Sequence, residues 1–466
     1  MVAGLSQLIG GPLGRHAVDP PRRRFWIPPR VILFSAIVML AAAFLQKYPC
    51  SAGAWTDFGQ YTQLCYTDIR ALWGAEQLDH GSVPYFDHPV EYPVLTGILM
   101  GVTGLSAHAW LGDAGGTVYY HLNAIVLLAL GVAGVAVLYR MRRRRAWDAM
   151  MVGCAPVMLV TALVNWDLLA VGLTIFFLAA WARGRVWWAG VLLGLAVAAK
   201  FYPLLVAGPL LVLAWRRRGL HTAIRTVAVA AATWLAVNLP FILFATDGWL
   251  RFFELNSTRG VDWGTSWYIL RDLAGSTSAV GEAIDNVDVL NLSYLVTFVI
   301  CCAGITWLAL AAPTPPRLAQ LAFLVVAAFL ITGKVWSQQY VLWLLPLVVL
   351  ARPRWRLFLA WQAAELFYFV AFYGELLQVS SGGDTPLPAW ALVSPEWVFV
   401  AASAARLGTV VALVIAVVRD ILRPDRDPVR AVHDGADPDA GPLAVGPDRP
   451  PIRPVTARTP PPVPGR

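Results

Sequence analysis

The stretch CYTDIRALWGAEQLDHGSVPYFDHPVEYPVLTG, residues 65–97, interrupts a chain that otherwise reads as membrane. It carries Asp68, Glu76, Asp79, Asp87 and Glu91 beside Trp73, Tyr85 and Tyr92. Apolar runs recur on either side of it, from Val31 to Val418. Of the 466 residues 58% are hydrophobic and only 14% charged, where a soluble domain has roughly 45–50% and about 25%. Only helices and closed barrels satisfy their own backbone groups in lipid. Runs of this length predict an all-α polytopic membrane protein. The stretch 65–97 then becomes a polar loop on one membrane face. The net charge of +8 does not point to nucleic acid, because the arginines fall in short clusters between apolar runs, as in cytoplasmic loops.

Those clusters are 22–30, 140–145, 183–185, 216–218, Arg317, 352–356 and 419–430. Taken as cytoplasmic, they give about twelve crossings with both termini inside. The first span, about 31–47, follows basic residues with no cleavage site after it, and is expected to remain as an anchor. The loops at 48–118 and 247–287 then face outward. Segment 93–108 is short, contains Gly97, Gly101 and Gly104, and is expected to be re-entrant or interfacial, since a full crossing there would put the densest arginine run outside. Three domains are expected: a basic cytoplasmic segment 1–30, an integral membrane domain 31–418, and a disordered Pro-rich cytoplasmic tail 419–466.

Three hairpins are too short for two full crossings. Segments 146–182, 186–215 and 318–351 hold 37, 30 and 34 residues, or about 56, 45 and 51 Å of helix. Two passes through a hydrocarbon core of about 30 Å need roughly 60 Å. Their polar apexes, Asn165-Trp166-Asp167, Lys200-Phe201-Tyr202-Pro203 and Lys334 to Tyr340, are therefore expected below the outer surface. Charge at membrane depth lines a water-filled cavity or pairs internally. Three such apexes on one side imply a cavity open to the face that carries residues 65–97.

No P-loop, dinucleotide-binding glycine motif or zinc-type Cys/His spacing is present. Residues 64–78 carry apolar residues at spacings of three to five, which predicts an amphipathic helix with Trp73 at the interface. Asp68 lies near its start, where the helix dipole favours a carboxylate; it either caps that helix or acts chemically. Lys200 and Lys334 each need an anionic partner, either Asp167 or Asp68 in a salt bridge or the phosphate of a ligand. Arg259, in the second external loop, presents the same choice with more solvent. Cys50 and Cys65 share the first loop, where a disulfide can form in an oxidising compartment.

The motifs CYTDI (65–69), GSVPY (81–85), VEYPVLTG (90–97), NWDLLA (165–170), GLAVAAKFYPLL (194–205) and KVWSQQYVLWLLP (334–346) together resemble glycosyltransferase family 87 of the actinobacteria. The resemblance spans roughly residues 31–418. It implies the membrane-embedded type-C glycosyltransferase fold, a sugar donor on polyprenyl phosphate, mannose foremost, and a glycolipid or glycan acceptor at the outer face of the plasma membrane. The family's catalytic carboxylate in the first external loop matches Asp68 here; Asp57 matches less well. Lys200, Lys334, Arg259 and Gln338 are then expected at the donor phosphate, with Glu91, Tyr92, Asn165, Asp167 and Tyr202 in support. No cofactor or metal ligand set is implied, and a divalent metal acting as a Lewis acid is left open. Pro-Val follows Glu91-Tyr92 and Gln338 stands where many relatives have proline, so the motifs leave the subfamily and its substrate open. A transporter or flippase of lipid-linked sugars is the competing class, and would require polar groups on both sides of its path.

Overall fold

The computed structural model describes residues 27–382, 396–445 and 448–452. Among these, all regular elements are helical, and an isolated bridge between Pro84 and His88 is the one β feature. The first helix, α1 (Pro28–Ser51), leads into the first loop, which carries α2 (Asp68–Ala75), α3 (Val94–Leu111) and the start of α4 (Gly116–Met141). The first hairpin rises through Met150–Gly153 and α5 (Pro156–Thr161) and returns as α6 (Asp167–Ala182). The second is α7 (Val186–Ala199) and α8 (Ala207–Arg216). Then come α9 (Leu220–Phe244), α10 (Thr246–Thr258), two short helices at 266–274 and 279–285, and α11 (Val287–Ala311). The third hairpin is α12 (Leu318–Thr332) and α13 (Val341–Ala351), followed by α14 (Trp355–Ser381) and α15 (Glu396–Leu422).

Six helical segments are long and apolar enough to cross a membrane, α3 and α4 being counted together as Val94–Met141. The helices of the three hairpins are shorter. At 16, 14 and 11 residues, α6, α7 and α13 span about 24, 21 and 17 Å, against about 38 Å for the 25-residue α9. The hairpin helices are thus shorter than the long helices around them.

At the other end of the bundle the arginine clusters meet. Arg142 pairs with Asp439, and Arg317 with Asp427 at 2.8 Å. Arg352 lies 2.9 Å from Asp420, and Arg216 donates to the Ala312 carbonyl at 2.6 Å. This corrects the expectation for 419–466. Residues 419–422 complete α15, and 423–445 pack against the helix ends, with Asp427 fully buried. Composition rich in Pro, Asp and Arg suggests free chain when the segment is read alone. Its aspartates instead meet arginines that would otherwise be buried without partners. Residues 1–26, 383–395 and 453–466, including most of the expected N-terminal segment and the end of the tail, lie outside the described residues.

Segment 93–108 forms most of α3. Both ends of α3 meet the first loop: it starts beside Tyr92, and Trp73 of α2 donates to the Asp113 carbonyl just past its end at 3.2 Å. Its glycines face that loop, where a side chain at Gly97 would strike the Tyr85 ring and one at Gly104 would press on Leu78. α3 thus lies alongside the first loop over most of its length. The amphipathic helix is present as α2, but its apolar face packs on protein. Ile69 and Trp73 are buried, and the Trp73 ring lies 5.3 Å from that of Tyr119 in α4.

Candidate active site

Opposite the arginine end lies a cavity of about 540 Å³, within the range of small-molecule sites. The first loop contributes Tyr66, Asp68, Glu91 and Tyr92, and the hairpin apexes contribute Asn165, Lys200 and residues 337–340. The stretch after α10 supplies Arg259, Asp262 and Trp263, while α14 supplies Tyr368 and Phe372. Three short hairpins and one polar loop thus meet in one chamber. Packing drives this, because hairpins shorter than their neighbours leave a hollow that only residues able to face water can line.

Asp68 begins α2. Its backbone N–H donates to the Val164 carbonyl at 2.7 Å, fixing the loop to the first apex. Its half-buried carboxylate accepts hydrogen bonds from the Tyr92 hydroxyl at 3.3 Å and from Tyr66. Burial pushes its pKa up to about 6; the Tyr66 bond and Lys200 oppose that rise, and neighbouring Glu91 adds to it. A base in that range is largely ionised at neutral pH, yet basic enough to take a proton.

Lys200 closes α7 and faces the chamber. Its Nζ is 3.4 Å from Asp167 and 5.3 and 5.5 Å from the rings of Tyr92 and Tyr340. Asp167 is buried behind it and also accepts from the Trp343 indole N–H. Asn165 lines the chamber and caps the Asp167 backbone N–H at 3.0 Å. Arg259 is half-exposed in the chamber wall, 3.4 Å from Asp262. The Asp262 carboxyl is pushed up by burial and drawn back by Arg259. Gln338 donates to the Tyr373 hydroxyl at 2.9 Å, and its Oε1 has no partner among the described residues.

A smaller cavity of about 150 Å³ adjoins the chamber through Lys200, Phe252, Asn256 and Tyr340. An apolar cavity of about 260 Å³ lies one turn further along α11 and α12, between them and α8. Phe298 of the apolar cavity touches Phe329 of the smaller one edge-on, with centroids 5.6 Å apart. Polar chamber, intermediate cavity and apolar cavity are thus stacked in that order.

A family model described as glycosyltransferase family 87 matches residues 92–337. The chain belongs to glycosyltransferase family 87. It is a membrane glycosyltransferase. Among solved structures it is similar to ArnT from Cupriavidus metallidurans in the apo state, at 16% identity, with 88% of this chain and 76% of that chain covered and a TM-score of 0.40. Comparison with curated proteins finds no match.

The matched segment of this family 87 enzyme contains Tyr92, Asn165, Asp167, Lys200, Tyr202, Arg259 and Lys334, and leaves Asp68, Glu91 and Gln338 outside it. Not all the expected residues share the chamber. Lys334 lines the intermediate cavity, where its Nζ donates to the carbonyls of Arg259 at 2.6 Å and Ser257 at 3.4 Å, closing the end of α10. Tyr202 stacks on Trp343 at 4.5 Å and bonds to Thr174, so it braces the wall from behind. Asp167 does not line the chamber and meets it only through its pair with Lys200. No group of three His, Cys, Asp or Glu side chains suited to a metal ion converges among the described residues.

Sequence reading missed Tyr66, Asp262, Tyr340 and the buried pair Arg406–Glu365. Arg406 lies 3.0 Å from Glu365 and donates to the carbonyls of Trp336 and Ser337 at 3.0 and 3.1 Å, which shapes the third apex. A signal existed for that pair, since each charge interrupts an otherwise apolar span. Tyr66 and Tyr340 carry no such signal.

Proposed function

We propose that the enzyme transfers a sugar, mannose foremost, from polyprenyl phosphate to a hydroxyl of a glycolipid or glycan acceptor, with inversion, in a type-C arrangement of about twelve crossings. The chamber faces the exterior of the plasma membrane and both termini lie in the cytoplasm, as the arginine clusters indicate. The observation that carries this reading is the stacking itself. Three carboxylates, Asp68, Glu91 and Asp262, and two cations share one chamber, and an apolar cavity begins beyond it on the side of Lys200. A donor with a charged head and a hydrocarbon tail fits that sequence of environments.

In this mechanism the acceptor O–H gives its proton to Asp68 as its oxygen attacks the anomeric carbon. The bond from that carbon to the phosphate oxygen breaks on the opposite face, and the electron pair leaves with the phosphate. Lys200 and Arg259 stabilise the charge that grows there. Tyr92 and Tyr66 hold the Asp68 carboxylate in place, and Asp167 holds Lys200. Gln338 Oε1 is free to accept from a sugar hydroxyl. Glu91 is the alternative base on the same wall.

The test is incubation of the purified protein with synthetic polyprenyl-phosphate mannose and a panel of glycolipid and glycan acceptors. Release of polyprenyl phosphate with formation of an α/β-inverted product is expected. Transfer from a nucleotide sugar, with none from the lipid-linked donor, would overturn the reading.

A further inference from the structure

At the arginine end, the start of α14 and the end of α15 enclose a groove of about 730 Å³. Arg352, Arg354, Arg356 and Arg419 line it together with Trp355. Two of these guanidiniums are already engaged: Arg352 pairs with Asp420, and Arg354 donates to the Arg426 carbonyl at 2.7 Å. Arg356 and Arg419 are exposed and make no hydrogen bond or ion pair with the described residues. Elsewhere at this end the tail closes the arginines, as at Arg142 and Arg317. Its described residues do not close these two.

The surroundings are those of a membrane boundary. Trp355, Leu359 and Ile415 are exposed beside the arginines, and a half-exposed tryptophan at the end of a span marks the headgroup level. Along α15 the small residues Ala404, Gly408, Ala412 and Ala416 recur every fourth position; Ala412 and Ala416 line the groove, and a side chain at Gly408 would meet open space, so the small-residue furrow of α15 continues from the arginines along the apolar surface. No acidic residue stands in the first turn of α14, and no side chain caps it, so its open N–H groups add to the preference for an anion.

We propose that this groove holds an anionic glycerophospholipid of the leaflet at the arginine end, its phosphodiester between Arg356 and Arg419 and one acyl chain in the furrow of α15. Charge complementarity selects the headgroup: four guanidiniums face the groove against the single carboxylate of Asp420. The apolar furrow selects a lipid over a free anion. Basic pockets between membrane helices bind such headgroups, at about 1 kcal/mol per basic residue near the surface. Two uncommitted arginines then correspond to about thirtyfold in affinity. The inference needs only that the helices span a membrane, and holds whatever sugar the chamber handles.

Native mass spectrometry of the full chain, with titration of phosphatidylglycerol or phosphatidylcholine, reads this directly. Wild-type protein is expected to keep one anionic lipid adduct and to prefer phosphatidylglycerol. R356Q/R419Q should lose about thirtyfold in that preference, while R356K/R419K retains most of it. Both variants alter exposed side chains, so an unchanged melting temperature in phosphatidylcholine confirms that the fold persists. Equal binding of phosphatidylglycerol to wild type and R356Q/R419Q would overturn the proposal. So would equal protection by inorganic phosphate alone, which would mark a free-anion site.

Discussion

The chamber and the arginine end both hold charge inside the helical bundle, but they hold it differently. At the arginine end the Arg317 cluster is tightly packed: Arg317 meets Asp427 at 2.8 Å and donates to the Leu350 carbonyl at 2.7 Å, while the Gln320 amide completes the aspartate. In the chamber the contacts are looser. Lys200 stands 3.4 Å from Asp167, Arg259 3.4 Å from Asp262, and Tyr92 3.3 Å from Asp68. A charge-assisted bond is normally about 2.7–2.9 Å. The Arg317 cluster is close-paired and structural; the chamber contacts leave capacity for a substrate.

The sharpest test of that contrast is Asp68→Asn, which is nearly isosteric and keeps an acceptor for Tyr92. Turnover should fall about 10²–10⁴-fold with the melting temperature close to wild type; a loss under tenfold would transfer the role to Glu91 or Asp57. At the opposite end, Asp427→Ala should act on stability alone. It strands Arg317 and should cost about 3–5 kcal/mol, read by thermal or detergent-challenge unfolding, with normal turnover in whatever fraction stays folded.

Lys200→Met sits between the two. Loss of a charged hydrogen-bond donor to the phosphate should lower kcat/KM about tenfold to a hundredfold. The double variant Lys200→Met/Asp167→Asn removes the stranded carboxylate, and should restore stability without restoring activity. A double variant with wild-type turnover would show that Lys200 serves only Asp167.

The pH profile sharpens the comparison further. As the proposed base, Asp68 acts only when ionised, and its pKa is raised to about 6. Activity should therefore hold near neutrality and fall about tenfold per unit as pH drops below that value. A limb centred near 4 would remove burial as the influence on the base. The smallest effect is expected of Lys334→Met. Its lysine closes the end of α10 instead of lining the chamber, so the loss should stay below tenfold and appear chiefly as weaker donor binding.

The helical class and the gathering of Asp68, Asn165, Lys200 and Gln338 on one face were legible in the sequence, because hydrophobic run lengths and arginine positions are local quantities. Lys334 could be located at an apex but not assigned a cavity: which side of the Tyr340 ring it occupies depends on where α10 ends, 75 residues away in sequence. The tail was misread for a related reason. Asp427 and Asp439 look like solvating charge until Arg317 and Arg142, 110 and 297 positions earlier, are brought beside them. Tyr66 and Tyr340 look like ordinary interfacial aromatics, and only their convergence on Asp68 and Lys200 distinguishes them.

The tail has a consequence for biogenesis. Asp427 and Asp439 follow α15 in the chain, so a ribosome delivers them after every labelled helix. Until then Arg142 and Arg317 have no carboxylates of their own to meet, and the inner ends of α4, α12 and α13 cannot settle. The bundle is thus locked from its last-made segment, in the manner of a latch. A nascent chain stopped before residue 427 would carry all its membrane segments and most of its chamber, yet leave Arg142 and Arg317 without their carboxylates and so open to quality-control proteolysis.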